Sequence, residues 1–394
     1  MTIKKRNLVL LLIVTFLLGA TIAAGSVLLV ENGAMGGTVK VSKKNYEYYE
    51  RLSKRYGKLD QLYDEVTGSF YKKPDEEKLA TGMYKGLIAG LGDPYSAYMT
   101  KEEYTSWTDS TMGEFDGVGI TFSTNKSGDY VVVNTIPDTP AEKAGLKAGD
   151  LLVAVDGKTY GTMDTFSAAL KGKAGTKVTL TYERDGKEKD VIMKRATIIN
   201  KTVDSKVLED QIGYIKISAF EEHTADDFKS ALEGLQKKKV KGLVIDLRQN
   251  GGGIVDAGLD VADKLLGEGT VTYLQDQHGK KQYLKSDAEK IDIPYVLLVD
   301  ENTASTSEII AAAVKDDGTN PIVGTTTFGK GIVQSTGELK DGSALKLTTM
   351  QYFSPKGNVI NGKGVKPNYE VKNSKKDKDD KQLAKGLELL KAKQ

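Results

Sequence analysis

The pattern of apolar and polar positions divides the chain into four regions that differ in the spacing of their apolar residues. Leu8 to Val30 is an uncharged apolar run, and Lys43 to Trp107 carries apolar or aromatic residues at helical spacing. Gly113 to Ala196 consists of short strand-like runs separated by turns. From Gly213 to Lys366, near-continuous apolar runs alternate with helical patterns. This order predicts a multi-domain α/β protein.

The first apolar run predicts a membrane anchor. Leu8 to Val30 is long enough to cross a hydrocarbon core of about 30 Å. The basic residues Lys4 to Arg6 precede it, so residues 1–7 are expected in the cytoplasm and the remainder outside. A cleavable signal peptide, with small residues from Ala20 to Gly25, is the alternative. Signal peptides normally have a shorter apolar region of about 7–15 residues, so we predict an uncleaved single-pass anchor over 8–30, in the cell membrane.

The next two regions are interpreted as separate domains. Residues 38–108 are predicted to form a helical N-terminal cap, interrupted at Gly92-Asp93-Pro94. Residues 109–197 hold five strand-like runs and two helical pieces, Pro140 to Ala144 and Thr162 to Leu170. Strands and short helices in this proportion predict a compact β domain.

The third region has the texture of a parallel sheet covered by helices. Leu243 to Leu247 is a near-continuous apolar run and Tyr295 to Val299 is apolar throughout, and helical patterns follow them at Ile254 to Leu266 and Thr306 to Lys315. Such runs predict βαβ units with a largely parallel, buried sheet over residues 198–372. A charged tail over 373–394 ends in a short amphipathic helix, Gln382 to Lys391.

Composition limits the chemistry. The chain has no cysteine and two histidines, His223 and His278, which excludes disulfides, cysteine nucleophiles and thiolate metal sites. Two distant histidines also offer no zinc cage, so we expect no metal and no cofactor. The net charge is +2 with both signs interspersed, unlike the clustered basic footprint of a nucleic-acid-binding protein. Acid–base chemistry must therefore use Lys, Asp, Glu or one of the two histidines.

Polar and glycine-rich segments follow three of the predicted strands, at the ends where functional groups gather in parallel sheets. They are Asp246 to Gly253, Asp300 to Glu308 and Gly324 to Gly331. Ser305 lies between a buried strand and a helix, a placement used by hydrolase nucleophiles, and the helix N-terminus supplies amides suited to an oxyanion. Ser305-x-x-Glu308 equally matches a capping box, and this segment alone favours that role.

The setting of Lys330 favours Ser305 as a nucleophile over Ser305 as a helix cap. Lys330 is flanked by two glycines in a threonine-rich loop with no other charge. Burial lowers the pKa of a lysine, and a neutral amine can accept the proton of a serine. Gln334 lies four residues on, on the same face of an extended strand, where its carbonyl would position the amine. An ordinary polar strand residue is the alternative for Gln334.

Glycines beside these residues suggest an oxyanion hole. Gly251 to Gly253 opens a predicted helix, and bare amides there can approach a ligand closely. We assign the amide of Gly252, with that of Thr306, to the oxyanion hole. A tight turn explains the glycines equally well.

The loop before Lys330 also mimics a phosphate-binding loop. Gly324 to Lys330 matches the P-loop pattern up to its last position, where Gly331 replaces the required Ser or Thr. The following residues, Ile332 to Thr336, are strand-like rather than helical. A nucleotide site is therefore not expected.

A second binding motif lies in the β domain. Gly117-Val118-Gly119-Ile120 alternates glycine with apolar residues at the start of a strand. Such a loop can point amides at the terminal carboxylate of a peptide while the strand pairs with the peptide backbone. Ala144-Gly145-Leu146 and Gly149-Asp150, followed by a strand, complete a pattern typical of bacterial PDZ domains.

Together, these motifs resemble the carboxy-terminal processing, or tail-specific, peptidases over roughly Asp60 to Lys366. The resemblance rests on four further segments, Asp93 to Ser96, Asp246 to Arg248, Ala304 to Glu308 and Phe328 to Gln334. It implies a crotonase-like αβ peptidase core interrupted by a PDZ domain. It also implies Ser305 as nucleophile, Lys330 as general base and Gln334 as its positioning partner. In some members of the family a PDZ arginine helps to switch the site on, and Arg184 is the candidate here, with a surface strand-end arginine as the alternative.

Three features depart from the family pattern. Asn250-Gly251-Gly252-Gly253 stands where Asn-Pro-Gly-Gly is usual, and Thr303 and Thr306 replace residues that are commonly Ser or Ala. Only a short charged tail stands where some relatives continue into a C-terminal module. The dimer usual in the family is therefore left open as a homo-oligomer.

The resemblance implies a serine endopeptidase that cleaves near the C-termini of extracytoplasmic proteins. Its expected partners are the C-terminal tails of protein substrates and, through the anchor, the membrane; nucleic acid is not expected. One alternative is a catalytically silent PDZ scaffold that presents substrates to another protease, against which intact Ser305, Lys330 and Gln334 argue. The other is a hydrolase that uses His223 or His278, although capping of a helix explains His223.

Overall fold

The computed structural model describes residue 15, residues 40–374 and residues 379–393. The predicted anchor, Leu8 to Val30, lies outside the described residues apart from Thr15. Within the described part of the chain, no helix is both long and apolar enough to cross a membrane. The anchor and its orientation therefore stay predictions.

The chain divides into two compact units, residues 1–80 and 81–394. In the first unit, helix α1 (Lys43–Ser69) begins at Ser42, whose hydroxyl accepts the N–H of Asn45 at 3.2 Å. Every residue of α1 is at least partly exposed, including the apolar and aromatic residues whose spacing predicted the helix. Helix α2 (Glu76–Ala89) follows.

The helical pattern of Lys43 to Trp107 breaks at Gly92 to Pro94 as predicted, but the strand that follows the break was not predicted. Strand β1 (Ala97–Met99) interrupts the pattern and pairs antiparallel with a strand of the later core, before helix α3 (Lys101–Met112) begins. Pro94 disfavours helix in the residue before it. The Asp93 carboxylate accepts bonds from the two residues that follow Pro94 and holds a turn there. A capping box at Thr100 then starts α3.

The β domain follows α3 and contains both predicted helical pieces. Its elements in chain order are β2 (Glu114–Gly117), β3 (Ile120–Thr124), β4 (Tyr130–Thr135), α4 (Pro140–Lys143), β5 (Leu151–Val155), α5 (Met163–Leu170), β6 (Lys177–Arg184), β7 (Lys187–Lys194) and β8 (Ala196–Ile199). Strands β3 to β7 form an antiparallel sheet in sequential order, and β2 pairs with β8 where the chain enters and leaves the domain. Its own buried cluster includes Phe166, Leu180 and Val155.

The remaining elements form the core domain. In chain order they are β9 (Val203–Val207), β10 (Ile212–Ile217), α6 (Thr224–Lys237), β11 (Gly242–Asp246), α7 (Val255–Leu265), β12 (Gly269–Asp276), β13 (Lys281–Ser286), β14 (Tyr295–Val299), α8 (Thr306–Asp317), β15 (Ile322–Gly324), β16 (Ile332–Glu338), β17 (Ala344–Phe353), β18 (Tyr369–Glu370) and α9 (Lys381–Lys391).

One sheet of this domain confirms the predicted parallel sheet. Its order is β18-β15-β14-β11-β10-β9, and all neighbours are parallel except the edge pair β9 and β10. Every residue of β11 and β14 is buried, which explains why β14 is apolar throughout and β11 has no polar side chain before Asp246 at its end. A second, antiparallel sheet was not predicted: β1-β17-β12-β13, with β16 also paired to β17. Residues of β12, β17 and the helices α6 to α8 join the parallel sheet in one buried cluster.

The charged C-terminal segment is part of this core. Helix α9 matches the predicted amphipathic helix, and its Leu390 is fully buried against Ile212, Val244, Val296 and Leu298 of the parallel sheet. Residues 379–393, which were predicted as part of a charged tail over 373–394, therefore belong to the core domain.

Candidate active site

Ser305 occupies a strained turn between β14 and α8. Its backbone has φ 58° and ψ −121°, a region that residues other than glycine rarely adopt. The Glu308 N–H donates to the Ser305 carbonyl at 2.7 Å, and the Ser305 N–H donates to Glu308 Oε2 at 2.9 Å. These two bonds close the first turn of α8 through the backbone of Ser305 and the carboxylate. The predicted cap is therefore present in a form that does not require the serine hydroxyl.

The Glu308 carboxylate connects this turn to the loop that carries Lys330. The side chain is fully buried. Its Oε1 accepts from the Thr327 hydroxyl (2.5 Å) and the Gly329 N–H (2.6 Å), and its Oε2 also accepts from the Lys330 N–H (2.8 Å). Four donors to one buried carboxylate satisfy its charge and fix the two segments to each other.

Tyr352 connects the same segments from the carbonyl side. Its buried hydroxyl lies 3.0 Å from the Ser305 carbonyl oxygen and also contacts the Lys330 carbonyl oxygen. Burial raises the pKa of Tyr352 well above its usual value, with the Glu308 carboxylate adding to the effect. The phenol therefore stays protonated and remains a donor. Sequence reasoning assigned Glu308 only a capping role and missed Tyr352.

Lys330 and Ser305 line one cavity of about 450 Å³. Burial lowers the pKa of Lys330, and the nearby charge of Lys346 lowers it further, while Asp93 and Glu308 oppose the shift. The Lys330 ammonium nitrogen also lies 4.6 Å from the centre of the Tyr95 ring. A lysine in this setting is closer to neutrality at physiological pH than an exposed one, as a general base requires.

The glycine loop approaches the serine as predicted. A Cβ at Gly252 would lie 2.7 Å from Ser305 Cβ and 2.9 Å from the Thr306 nitrogen, so this contact requires glycine. The Gly252 N–H donates to the side-chain oxygen of Asn250 at 2.8 Å. Both residues assigned to the oxyanion hole are thus adjacent to Ser305, and one of the two amides is held by Asn250.

The predicted peptide-binding loop lines a second cavity of about 340 Å³, between β3 and α5. Gly117, Val118, Gly119 and Ile120 all contribute to its wall. Gly119 has φ 81°, and a Cβ there would lie 2.4 Å from the Thr139 side chain. Only glycine fits at this turn, which keeps the loop amides close to the cavity.

Comparisons with known proteins agree with this geometry. The model of peptidase family S41 matches residues 211–371, a PDZ domain model matches 131–184, and the model of the activating protease CtpB N-terminal domain matches 17–103. Carboxy-terminal processing protease CtpA of Bacillus subtilis (strain 168) is 37% identical over 79% of this chain and 68% of its own length. The chain belongs to peptidase family S41.

Two further proteins extend this likeness. Carboxy-terminal processing protease CtpB of Bacillus subtilis (strain 168) is 36% identical over 90% of the chain and 77% of its own length. The solved structure of the photosystem II D1 C-terminal processing protease, 28% identical, covers 88% of the chain and 97% of its own length with a TM-score of 0.50. This S41 peptidase is accordingly a C-terminal processing serine protease with a PDZ domain.

Gln334 lines the cavity that Ser305 and Lys330 share, which is the candidate catalytic cavity. It makes a different contact from the one expected. Its amide nitrogen donates to the Thr348 hydroxyl at 3.0 Å. The pairing of β16 with β17 shifts register between Val333 and Gln334. The extra residue of this bulge, Thr349, lies on β17, and Lys330 precedes the start of β16. The two-residue alternation of an extended strand therefore does not run unbroken from Lys330 to Gln334.

Arg184 lies at the end of β6, in a bidentate ion pair with Asp150 (2.5 and 2.6 Å) and a 2.9 Å bond to the Gly145 carbonyl. As far as the described residues go, it lines neither the peptide-binding cavity nor the catalytic one. Its role in switching the site stays a prediction. The described residues that line the catalytic cavity also include no histidine, which disfavours a His-dependent hydrolase.

Proposed function

We propose that Ser305 is the nucleophile and Lys330 the general base in a peptidase that shortens extracytoplasmic proteins near their C-termini. The observation that carries the proposal is the pair of buried connections through Glu308 and Tyr352. They fix the backbone of Ser305 to that of Lys330 beside one cavity. Preorganised contacts of this kind hold a nucleophile and base in a fixed relation.

In the proposed reaction, the substrate tail binds by its C-terminus to the PDZ loop and extends into the catalytic cavity. Neutral Lys330 removes the proton of the Ser305 hydroxyl as the oxygen attacks a peptide carbonyl. The amide of Thr306 stabilises the oxyanion, and that of Gly252 joins it once it exchanges the Asn250 side-chain oxygen for the substrate, while Gln334 restricts the amine. Collapse of the oxyanion breaks the peptide C–N bond, and protonated Lys330 donates its proton to the departing amine. Neutral Lys330 then deprotonates a water molecule that hydrolyses the acyl-enzyme, which releases the shortened protein as a carboxylate and restores the Ser305 hydroxyl. The apolar run from Leu8 to Val30 and its basic flank support anchoring of the peptidase outside the cytoplasm.

The proposal can be tested in cells that carry either the wild-type chain or Ser305→Ala. Mass spectrometry of C-terminal peptides should find extracytoplasmic proteins that are shortened only in the wild-type cells. A His223→Ala, His278→Ala double variant is the control and should give the wild-type pattern, because neither histidine lines the cavity. Identical C-termini in wild-type and Ser305→Ala cells would contradict the nucleophile, and shortening confined to cytoplasmic proteins would contradict the location.

The pH dependence should follow the protonation of Lys330. Because the neutral amine is the active form, kcat/KM should rise with pH up to the pKa of Lys330, which burial and Lys346 lower. Replacement Lys346→Gln removes a repulsive charge, so the pKa of Lys330 rises and the ascending limb moves to higher pH. Lys340→Gln, an exposed change in the turn before β17, should leave the profile in place. A profile that Lys346→Gln moves to lower pH, or leaves unmoved, would count against Lys330 as the base.

A further inference from the structure

Helix α3 forms part of the wall of both cavities. Its Asp109 lines the peptide-binding cavity, its Trp107 and Thr111 line the catalytic cavity, and its Ser110 lines both. One rigid helix therefore contacts both places where a substrate tail is expected. Any displacement of α3 on the PDZ side must also change the catalytic wall.

An ion pair between α3 and the β domain forms part of the wall of the peptide-binding cavity. Lys171, the residue directly after α5, places its Nζ 2.9 Å from Asp109 Oδ2. The same Nζ lies 5.3 Å from the centre of the Phe115 ring. Among the described residues that line this cavity, Lys171 is the only one with a positive charge. The cation best placed for a carboxylate is thus already paired with a carboxylate of the protein.

We infer that Lys171 recognises the terminal carboxylate of the substrate tail. Until a tail binds, the carboxylate of Asp109 occupies the same position beside Lys171. The inference rests on the proposed function of the PDZ domain. A tail that pairs with Lys171 exchanges one carboxylate for another, so the cation is never left unpaired. Both partners are about one-third exposed (35% and 29%), so the exchange costs little and proceeds without unfolding. The loop amides of Gly117 to Ile120 then supply the remaining donors.

The charge pattern of the cavity supports this exchange. Glu221 is the other acidic side chain in the wall, and burial raises the pKa of its carboxyl, which favours the neutral form. Asp109 is the carboxylate that a tail must displace from the Lys171 ammonium. Carboxylates are selected over amides by this arrangement, because only a carboxylate replaces the charge of Asp109.

Asp109 and Trp107 lie on the same helix, α3, so a movement of α3 that follows the release of Asp109 also moves Trp107 in the wall of the catalytic cavity. The ring of Trp107 lies 5.5 Å from the ammonium of Lys346, on the strand β17 that pairs with β16. The charge of Lys346 acts on Lys330. A shift of α3 that moves Trp107 also moves this charge, so occupancy of the PDZ cavity changes the electrostatic environment of the base. The Asp109–Lys171 pair is therefore a restraint that a bound tail removes.

Binding can be measured separately from catalysis in full-length Ser305→Ala protein. The probes are two fluorescent tail peptides of one sequence, ending in a free carboxylate or in an amide, followed by anisotropy. Replacement Lys171→Gln should reduce the preference for the carboxylate peptide about fivefold, and Lys171→Arg should restore it. Asp109→Asn should tighten carboxylate binding about two- to fivefold, since the competing charge is gone. Glu102→Gln removes the same charge from an exposed site on α3 and is the matched control.

Catalysis supplies the second readout. In protein with an intact Ser305, Asp109→Asn should raise the cleavage rate of the amidated peptide, whereas Glu102→Gln should not. Equal weakening of both peptides by Lys171→Gln, or equal effects of Asp109→Asn and Glu102→Gln, would overturn the recognition. Tighter binding without faster cleavage in Asp109→Asn would overturn the link to the catalytic site. Absence of tail binding in all variants would overturn the proposed PDZ function itself, and the inference with it.

Discussion

Replacement Lys330→Ala is expected to lower kcat/KM for an unfolded tail substrate by about 10²–10⁴-fold, the usual contribution of a general base. Burial lowers the pKa of Lys330, and none of the described residues that line the catalytic cavity carries an imidazole. Lys346 lines the cavity as well, but its ammonium lies against Trp107. The measurement is the rate of peptide cleavage followed by mass, in parallel with tail binding by anisotropy. Binding should be unchanged, because Lys330 lies outside the PDZ cavity.

Lys330→Arg is the matched variant for this prediction. It keeps a positive charge in the cavity but cannot act as a base, because a guanidinium stays protonated in proteins. It should therefore be as inactive as Lys330→Ala while retaining the charge. Cleavage that survives in either variant at more than a few per cent of the wild-type rate would remove Lys330 from the mechanism.

The second large effect is expected for Glu308→Gln. The Glu308 carboxylate accepts four hydrogen bonds in a buried site, two at each oxygen. In glutamine an NH₂ group replaces one of these oxygens, and this group cannot accept a hydrogen bond from the donors that face it. At least one buried backbone N–H then loses its acceptor, which should destabilise the fold by about 2–4 kcal/mol. Because this carboxylate fixes Ser305 relative to Lys330, kcat/KM of the folded variant should fall about 10²-fold. Urea unfolding measures the first effect and peptide cleavage the second.

Glu301→Gln serves as the control for Glu308. Glu301 is exposed, lies in the same connection after β14 and accepts one bond from the Thr325 hydroxyl at 2.8 Å. Its replacement should change the free energy of unfolding by less than about 0.5 kcal/mol and leave cleavage unaffected. A Glu308→Gln protein with wild-type kcat/KM would show that the four-bond connection does not position the catalytic pair.

The parallel sheet could be predicted because its central strands are buried on both faces, and β11 and β14 are consequently apolar at every or nearly every position. The antiparallel sheet could not. Strands β16 and β17 are mostly half-buried and carry polar residues that line the cavity, Gln334, Thr336 and Lys346. Residues that line a site replace the apolar positions on which the two-residue alternation depends. Strand β1 was missed because three residues between two helices give no periodic signal.

The candidate site shows the same division between local and distant information. Ser305 and Lys330 could be singled out from the residues beside them, a strand-to-helix turn and a pair of glycines. Only the capping role of Glu308 could be predicted from the sequence, because the other donors to its carboxylate lie about twenty residues later in the chain. Tyr352 carried no signal, since an aromatic residue on a strand is ordinary. Glu308 in a run of small and apolar residues was the one available sign of a buried charge.

The backbone conformation of Ser305 limits which nucleophile this turn can carry. At φ 58° and ψ −121°, any residue with a Cβ pays roughly 1–3 kcal/mol of strain. A β-branched residue at positive φ meets a further clash between its second γ substituent and the backbone. Threonine serves as the nucleophile in some other peptidases, where its geometry is different. Of serine and threonine, only serine, which is unbranched at Cβ, therefore fits at this turn. The next residue is a threonine, Thr306, whose hydroxyl donates to the Gly253 carbonyl at 2.9 Å.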